Sequence, residues 1–371
     1  MRIGIDARMY SPKFTGIGRY NYELINHLFE IDKENTYVIF MNEPEYSEFT
    51  FSAKNVEKIC AGAKYYSLGE QLSFMKKLYQ ARLDVMHFTH FNNALLYFKK
   101  QTVTIHDLTL SFFPGKKMTK WYHRVAYFLS VWGVTKKAYR IIAISENTKN
   151  DLIKVLRVPE KKITVVTEGA SQDFSKITDK MRLSETKKRL GLSRPFFLYT
   201  GVWRDHKNLV GLIKAFHKLT LSKDFDADLV ITGRHDPVYT EVKDTVQELH
   251  LEDRVKLVGM VSEGDLTALY SLATLYTFPS FYEGFGLTIL EAFAAELPVA
   301  CSNTSSLPEV GGDAVIYFDP YSIDDMAEKI GMLYDDKELQ KELILKGKKQ
   351  LSVFSWEDMT KKIHDIYLMK N

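Results

Sequence analysis

The chain has 371 residues, 45% of them hydrophobic and 26% charged, with a formal net charge of +3. That length exceeds one comfortable core and predicts two domains, while so small a net charge speaks against nucleic acid as a partner. Cys60 and Cys301 stand far apart without metal-ligand spacing and read as core thiols of a reducing compartment, and the longest apolar run, Val125 to Val134, falls well short of the ~20 residues of a membrane-spanning helix. A cytoplasmic protein is expected.

From the amino terminus, residues 2–5 read as a first strand rather than a signal peptide. Gly16-Ile17-Gly18 then leads into a helix over 19–29. Glycines there let a backbone approach a ligand at a helix amino terminus, although Asn21 stands where a dinucleotide fingerprint needs its third glycine. By itself the pair suits a plain turn as well as a ligand loop. Strands at 37–41, 85–88, 102–105, 140–144 and 163–166, alternating with amphipathic stretches, predict a parallel-sheet α/β domain. Ligands of such sheets bind beyond the strands' carboxyl ends, and His106-Asp107 follow the strand 102–105 directly. A functional pair is favoured there over a structural one.

Between Asp107 and Glu146 there is no acidic residue, while Lys116, Lys117, Lys120 and Arg124 alternate with Trp121, Tyr122, Phe128 and Trp132. A solvated basic face explains the lysines but not the aromatics. A buried helix explains Val125 to Val134 but not the flanking cations. An anionic membrane surface explains both, and the expectation is docking on the inner face of the plasma membrane.

Polar, charge-rich sequence over 178–194 separates this half from a second strand series at 196–200, 229–232, 255–258, 275–278, 298–301 and 315–318. Domains are expected at 1–175 and 176–355, with a last helix over 356–371 crossing back to the first. Ser262 to Asp265 and Ser355 to Asp358 read as capping boxes. After the strand 196–200 comes Gly201, then Arg204 and Lys207 at the start of a helix. First turns prefer acids, so two cations three residues apart point to an anionic ligand. Asp224-Phe225-Asp226-Ala227-Asp228 could suggest a divalent metal, but it precedes its strand, opposite the ligand edge, and reads as a solvated loop. No metal and no other cofactor is expected. After the strand 275–278, Glu283 precedes the turn Gly284-Phe285-Gly286-Leu287, and Glu291 lies in the helix that follows. Free amides there suit phosphate or sugar oxygens, and two carboxylates in one pocket suit a polyhydroxylated ligand.

Glu283 and Glu291 inside Ser-Phe-Tyr-Glu-Gly-Phe-Gly-Leu-Thr-Ile-Leu-Glu-Ala resemble the signature of retaining glycosyltransferases of family 4, the glycosyl transferase group 1 family. Gly16 and Gly18, His106-Asp107, the Arg204–Lys207 pair and Leu307-Pro308-Glu309-Val310-Gly311-Gly312 follow the same pattern in order. The resemblance implies a GT-B fold of two Rossmann-like domains, the donor mainly on the second and the acceptor mainly on the first. It implies that Glu283 contacts donor-sugar hydroxyls and Glu291 the ribose. Amides of residues 284–287 would hold sugar and phosphate, Arg204 and Lys207 the diphosphate, and His106 the transferred sugar. The expected reaction moves a hexose with retention from a nucleotide-diphosphate donor to a glycan or lipid-linked saccharide. GDP-mannose is favoured over a UDP-sugar on likeness to bacterial mannosyltransferases of polysaccharide assembly. A nucleotide-sugar 2-epimerase on the same fold and a binding module without catalysis are the alternatives.

Overall fold

Runs such as Tyr37-Val38-Ile39-Phe40-Met41, apolar at every position, suit strands covered on both faces, as parallel sheets are. The computed structural model describes residues 1–11, 16–50, 53–63, 67, 69–116 and 120–369. Seven strands form the first sheet: β1 (Arg2–Asp6), β2 (Thr36–Met41), β3 (Val56–Cys60), β4 (Val85–Phe88), β5 (Gln101–Ile105), β6 (Arg140–Ala143) and β7 (Ile163–Val165). All pairings are parallel, in the order β3-β2-β1-β4-β5-β6-β7. β3 has no counterpart among the expected strands. It lies on the sheet edge, half-exposed, so Glu57 and Lys58 break the continuous apolar run that marks its neighbours. Cys60 ends that edge strand half-buried and is therefore not a core thiol, whereas Cys301 is buried.

The second sheet holds β8 (Phe196–Thr200), β9 (Asp228–Thr232), β10 (Val255–Gly259), β11 (Leu275–Phe278), β12 (Val299–Ser302) and β13 (Val315–Phe318). Its order is β10-β9-β8-β11-β12-β13, again all parallel. Strand order thus reverses once in each sheet, between β1 and β4 and between β8 and β11. In doubly wound sheets that reversal opens a crevice at the strands' carboxyl ends.

Two compact units contain these sheets. The first includes the chain up to Pro114, the stretch ending at Gly169, and the return from Ser355; the second holds 170–354 with Gly115 and Lys116. The change at 169/170 precedes the expected 175/176 because Phe174 packs edge-on against Tyr270 of the second unit, 5.4 Å between ring centroids. A glycine is required at the change: a Cβ on Gly169 would stand 2.2 Å from the Trp356 backbone nitrogen. The C-terminal helix Trp356–Leu368 is capped by Ser355, whose hydroxyl accepts the Asp358 N–H. It buries Trp356, Met359, Ile363, Ile366 and Tyr367, and packs on the helix Ile17–Ile31 of the first unit. Among the described residues no helix is long and apolar enough to cross a membrane.

Candidate active site

In the second unit the loop leaving β8 begins at Gly201, with φ 148°, where a Cβ would meet the Tyr199 hydroxyl at 2.8 Å. A 3₁₀ turn, Asp205–Lys207, follows, and then Asn208 in the left-handed region before the helix Leu209–Thr220. Arg204 and Lys207 therefore flank a turn that precedes the α-helix, rather than occupying the helical first turn. Asn208 imposes this: its amide Nδ2 donates to the carbonyls of Pro279 at 3.1 Å and Pro320 at 2.8 Å. The Phe281 N–H also donates to the His206 carbonyl at 2.8 Å, so the loops after β8 and β11 are stitched together. Burial first, then the charges of Lys207 and Arg204, push the His206 imidazole down to about 2.

Lys207 Nζ donates to both Glu283 carboxylate oxygens, at 2.6 and 2.7 Å. Ser280 Oγ donates to Oε1 at 2.6 Å, and the Glu283 N–H to Ser305 Oγ at 2.9 Å. Ser306 Oγ ties the carbonyls of Glu283 and Phe285, at 3.0 and 2.6 Å. The turn Gly284-Phe285-Gly286 is thus fixed from both sides before the helix Leu287–Ala294 begins. Gly286 precedes that helix at φ 132°, a conformation that a side chain would strain. Glu291 has an anchor of its own. Its Oε2 accepts the Tyr270 hydroxyl at 2.7 Å, and Tyr270 in turn meets Thr200 Oγ1 at 2.8 Å. Burial, and next the Glu291 charge, raise the Tyr270 phenol well above its ordinary range, so it stays a donor to that carboxylate. Arg204 is exposed.

In the first unit His106 is buried directly after β5. Its Nε2 lies 2.9 Å from the Thr89 carbonyl, which can only accept, so Nε2 carries a proton. Its Nδ1 lies 3.3 Å from Glu168 Oε1, a carboxylate with a side chain 3% exposed. Glu168 is absent from the sequence-derived candidates, although it stands just beyond β7 where the carboxyl-end rule points. Asp107 does not join His106: its Oδ1 accepts the Thr109 N–H at 2.7 Å and closes a local turn. Gly16 precedes the helix Ile17–Ile31 at φ 69°, and Gly18 is buried within that helix.

The basic and aromatic stretch divides. Lys116 groups with the second unit, where it pairs with Glu241, so it is not part of a first-unit face. Lys117 lies outside the described residues. The helix Trp121–Lys137 buries only Val131, Val134 and Thr135. Trp121 is 74% exposed, and Val125, Phe128, Leu129 and Trp132 are exposed too, so most of Val125 to Val134 is not core. Beside it lies a groove of about 450 Å³ whose lining includes Leu110, Phe112, Val125, Phe128 and the cation Arg124. Of the aspartates around the start of β9, Asp226 meets Arg194 at 3.0 Å, and Asp228, the first residue of the strand, meets Arg254 at 3.2 Å.

Two family descriptions match in tandem: Glycosyltransferase Family 4 over residues 14–173 and Glycosyl transferases group 1 over residues 182–350. The chain belongs to glycosyltransferase family 4. O-antigen chain mannosyltransferase B of Escherichia coli is 26% identical to this family 4 chain over 95% of its length and 96% of the relative's. Among solved structures, sucrose-phosphate synthase from Thermosynechococcus elongatus superposes with a TM-score of 0.78 at 19% identity, covering 99% of this chain and 98% of that one. Anabaena HepE, in a complex with UDP and glucose, gives 0.77 at 16% identity with 99% of both chains covered. These likenesses show the GT-B fold.

Proposed function

We propose that this family 4 member is a retaining, metal-independent hexosyltransferase that moves mannose from GDP-mannose to a glycan or lipid-linked saccharide in polysaccharide assembly. The observation that carries the reading is the pairing of Lys207 with Glu283 at the strand reversal between β8 and β11, beside an ordered Gly-Phe-Gly turn. Arg204 and Lys207 offer fixed positive charge to a departing diphosphate, and stabilising a leaving anion is the main task of such an enzyme. Glu283 and the amides of Gly284 to Leu287 hold the donor sugar, Glu291 holds the ribose, and Gly201 leaves room for the phosphates. His106, with Glu168 at its Nδ1, attends the transferred sugar, and Gly16 and Gly18 keep the neighbouring backbone open to it. Attack comes on the face that the diphosphate leaves, and the departing phosphate takes the acceptor's proton.

The mannosyltransferase relative, aligned end to end, supports mannose; the complex of HepE with UDP and glucose keeps a UDP-sugar as the second choice. The exposed aromatic and basic helix Trp121–Lys137, close after His106 and Asp107, supports a lipid-linked acceptor and a peripheral site on the cytoplasmic face of the membrane.

The test is to incubate purified protein with GDP-mannose, with and without a bacterial lipid-linked saccharide extract. GDP release strongly stimulated by the acceptor, with an α-anomeric product, is expected. Conversion of the donor into an epimeric sugar without acceptor, beyond slow hydrolysis to the free sugar of unchanged configuration, would replace this reading with an epimerase, and donor binding without turnover would leave a binding module.

A further inference from the structure

His87 in β4 is completely buried, and both its ring nitrogens are engaged. Nδ1 lies 2.6 Å from the hydroxyl of Tyr367 and Nε2 2.8 Å from Thr104 Oγ1 in β5. Thr104 Oγ1 also lies 2.9 Å from the Tyr20 hydroxyl. The Tyr20 ring stands edge-on to the His106 imidazole, with centroids 4.9 Å apart and planes at 87°. Tyr367, His87, Thr104 and Tyr20 are each 0% exposed. The chain of contacts therefore runs from the last helix, 280 residues on from His87, to the one histidine placed directly after β5.

The chemistry of Tyr367 is the informative part. Anchoring the C-terminal helix needs only apolar bulk, which Met359, Ile363 and Ile366 already supply on the same face. A phenylalanine would fill the site of Tyr367 equally well. The hydroxyl has a partner in His87, and a buried polar group left without one costs about 1–3 kcal/mol. Fully paired buried networks rigidify their members, because moving one breaks the next. Tyr20 cannot swing from His106 without leaving Thr104, and Thr104 cannot turn without leaving His87. His106 also meets the Thr89 carbonyl and Glu168, and the His90 ring stacks beside it with centroids 6.3 Å apart.

We propose that Tyr367 is a positioning residue for His106, acting through His87, Thr104 and Tyr20, so that the returning helix completes the surroundings of His106 in the first unit. This rests on the reading of His106 as a residue of the transfer reaction. The geometry explains why the chain returns with a tyrosine, and it assigns four residues that the sequence motifs leave without a role.

The assay is hydrolysis of the donor that the wild-type protein turns over, with water as acceptor, measured with thermal melting for Tyr367→Phe, Thr104→Val, Thr104→Ser and His106→Ala. Tyr367→Phe and Thr104→Val should each lower kcat about tenfold, less than the ~10²-fold of a 1 Å misplacement. Donor KM should stay within about twofold, since uniform binding is untouched. Thr104→Ser keeps the oxygen and should retain wild-type kcat. The double variant Tyr367→Phe/Thr104→Val should be no slower than the slower single variant. If Tyr367→Phe fails to fold, the contrast between Thr104→Val and Thr104→Ser still decides. Wild-type kcat with a lowered melting temperature in both hydroxyl-deleting variants would overturn the proposal and leave the network purely structural. Should His106→Ala slow hydrolysis while they do not, only the positioning idea falls; should His106→Ala turn over normally, the underlying reading falls with it.

Discussion

Lys207 and Glu283 form a two-pronged ion pair, Nζ at 2.6 Å from Oε1 and 2.7 Å from Oε2, with side chains only 17% and 12% exposed. It links the loops after β8 and β11, so Lys207 serves the fold as well as any ligand. Arg204 is exposed and caps a turn only through its backbone. Substituting the two should therefore have different signatures. Arg204→Ala should lower kcat about 10²-fold or more, the scale of losing one preorganised charge, with an unchanged melting temperature. Lys207→Ala should lose activity and also about 1–3 kcal/mol of stability, because the Glu283 carboxylate loses its cationic partner and is left with the Ser280 hydroxyl. Melting curves beside steady-state kinetics check this; a fully active Arg204→Ala removes that residue from the mechanism.

The proposed metal independence rests on the same two cations, whose role is to offset diphosphate charge. Asp226 and Asp228, the carboxylates nearest a metal-binding pattern, are engaged by Arg194 and Arg254. Transfer in excess chelator should match transfer in magnesium. Abolition by chelator, with recovery on adding metal, would return Asp224 and Asp226 to consideration.

The buried His87 gives the fold an acid-sensitive point. Burial first and the neighbouring His106 second hold its imidazole down to about 3, against 6.5 ordinarily. The unfolded chain then binds the extra proton between those values and the folded chain does not. This contribution is constant above pH ~6.5 and weakens stability as pH falls toward 3, by up to about 1.4 kcal/mol per pH unit. His87→Gln should flatten that segment of the stability profile, even if it lowers stability overall. Denaturant titrations of both proteins at pH 7, 6, 5 and 4 would show it; parallel profiles would mean that His87 does not titrate so.

The strands buried on both faces announce themselves in the sequence because nearly every residue is apolar; β3 does not, because an edge strand tolerates Glu57 and Lys58. Glu283 and the glycine turn were readable because a strand end, paired glycines and a helix start coincide. The separate partners of Glu283 and Glu291 were not, since Tyr270, which holds Glu291, comes from another helix entirely. Glu168 stood within reach of the carboxyl-end rule, but nothing local shows that it meets His106 from 62 positions further along the chain. The network through Tyr367 was unreadable for the same reason: its members lie in β4, β5 and two terminal helices.

The last prediction concerns the helix Trp121–Lys137. Its first ten residues bury almost nothing, leaving Trp121, Tyr122, Val125, Phe128 and Leu129 exposed along with Lys120 and Arg124. Apolar surface on this scale usually marks a contact site. Cations nearby should contribute about 1 kcal/mol each on an anionic bilayer. Lys116 is excluded from that sum by its pairing with Glu241. Reversing Lys120 and Arg124 to Glu should thus remove about 2 kcal/mol of attraction, roughly 30-fold in affinity, and the added repulsion should take more. Sedimentation with phosphatidylglycerol vesicles at low salt should hold the unmodified protein, release it at high salt, and fail for the double reversal. Donor binding should be the same in both, because these two cations belong to the first unit and the residues read as holding the donor's sugar, ribose and diphosphate belong to the second. Phosphatidylcholine vesicles alone should bind weakly, since the charge term is then missing. An unmodified protein that ignores phosphatidylglycerol at low salt would end the membrane reading and leave a glycan free in solution as the acceptor.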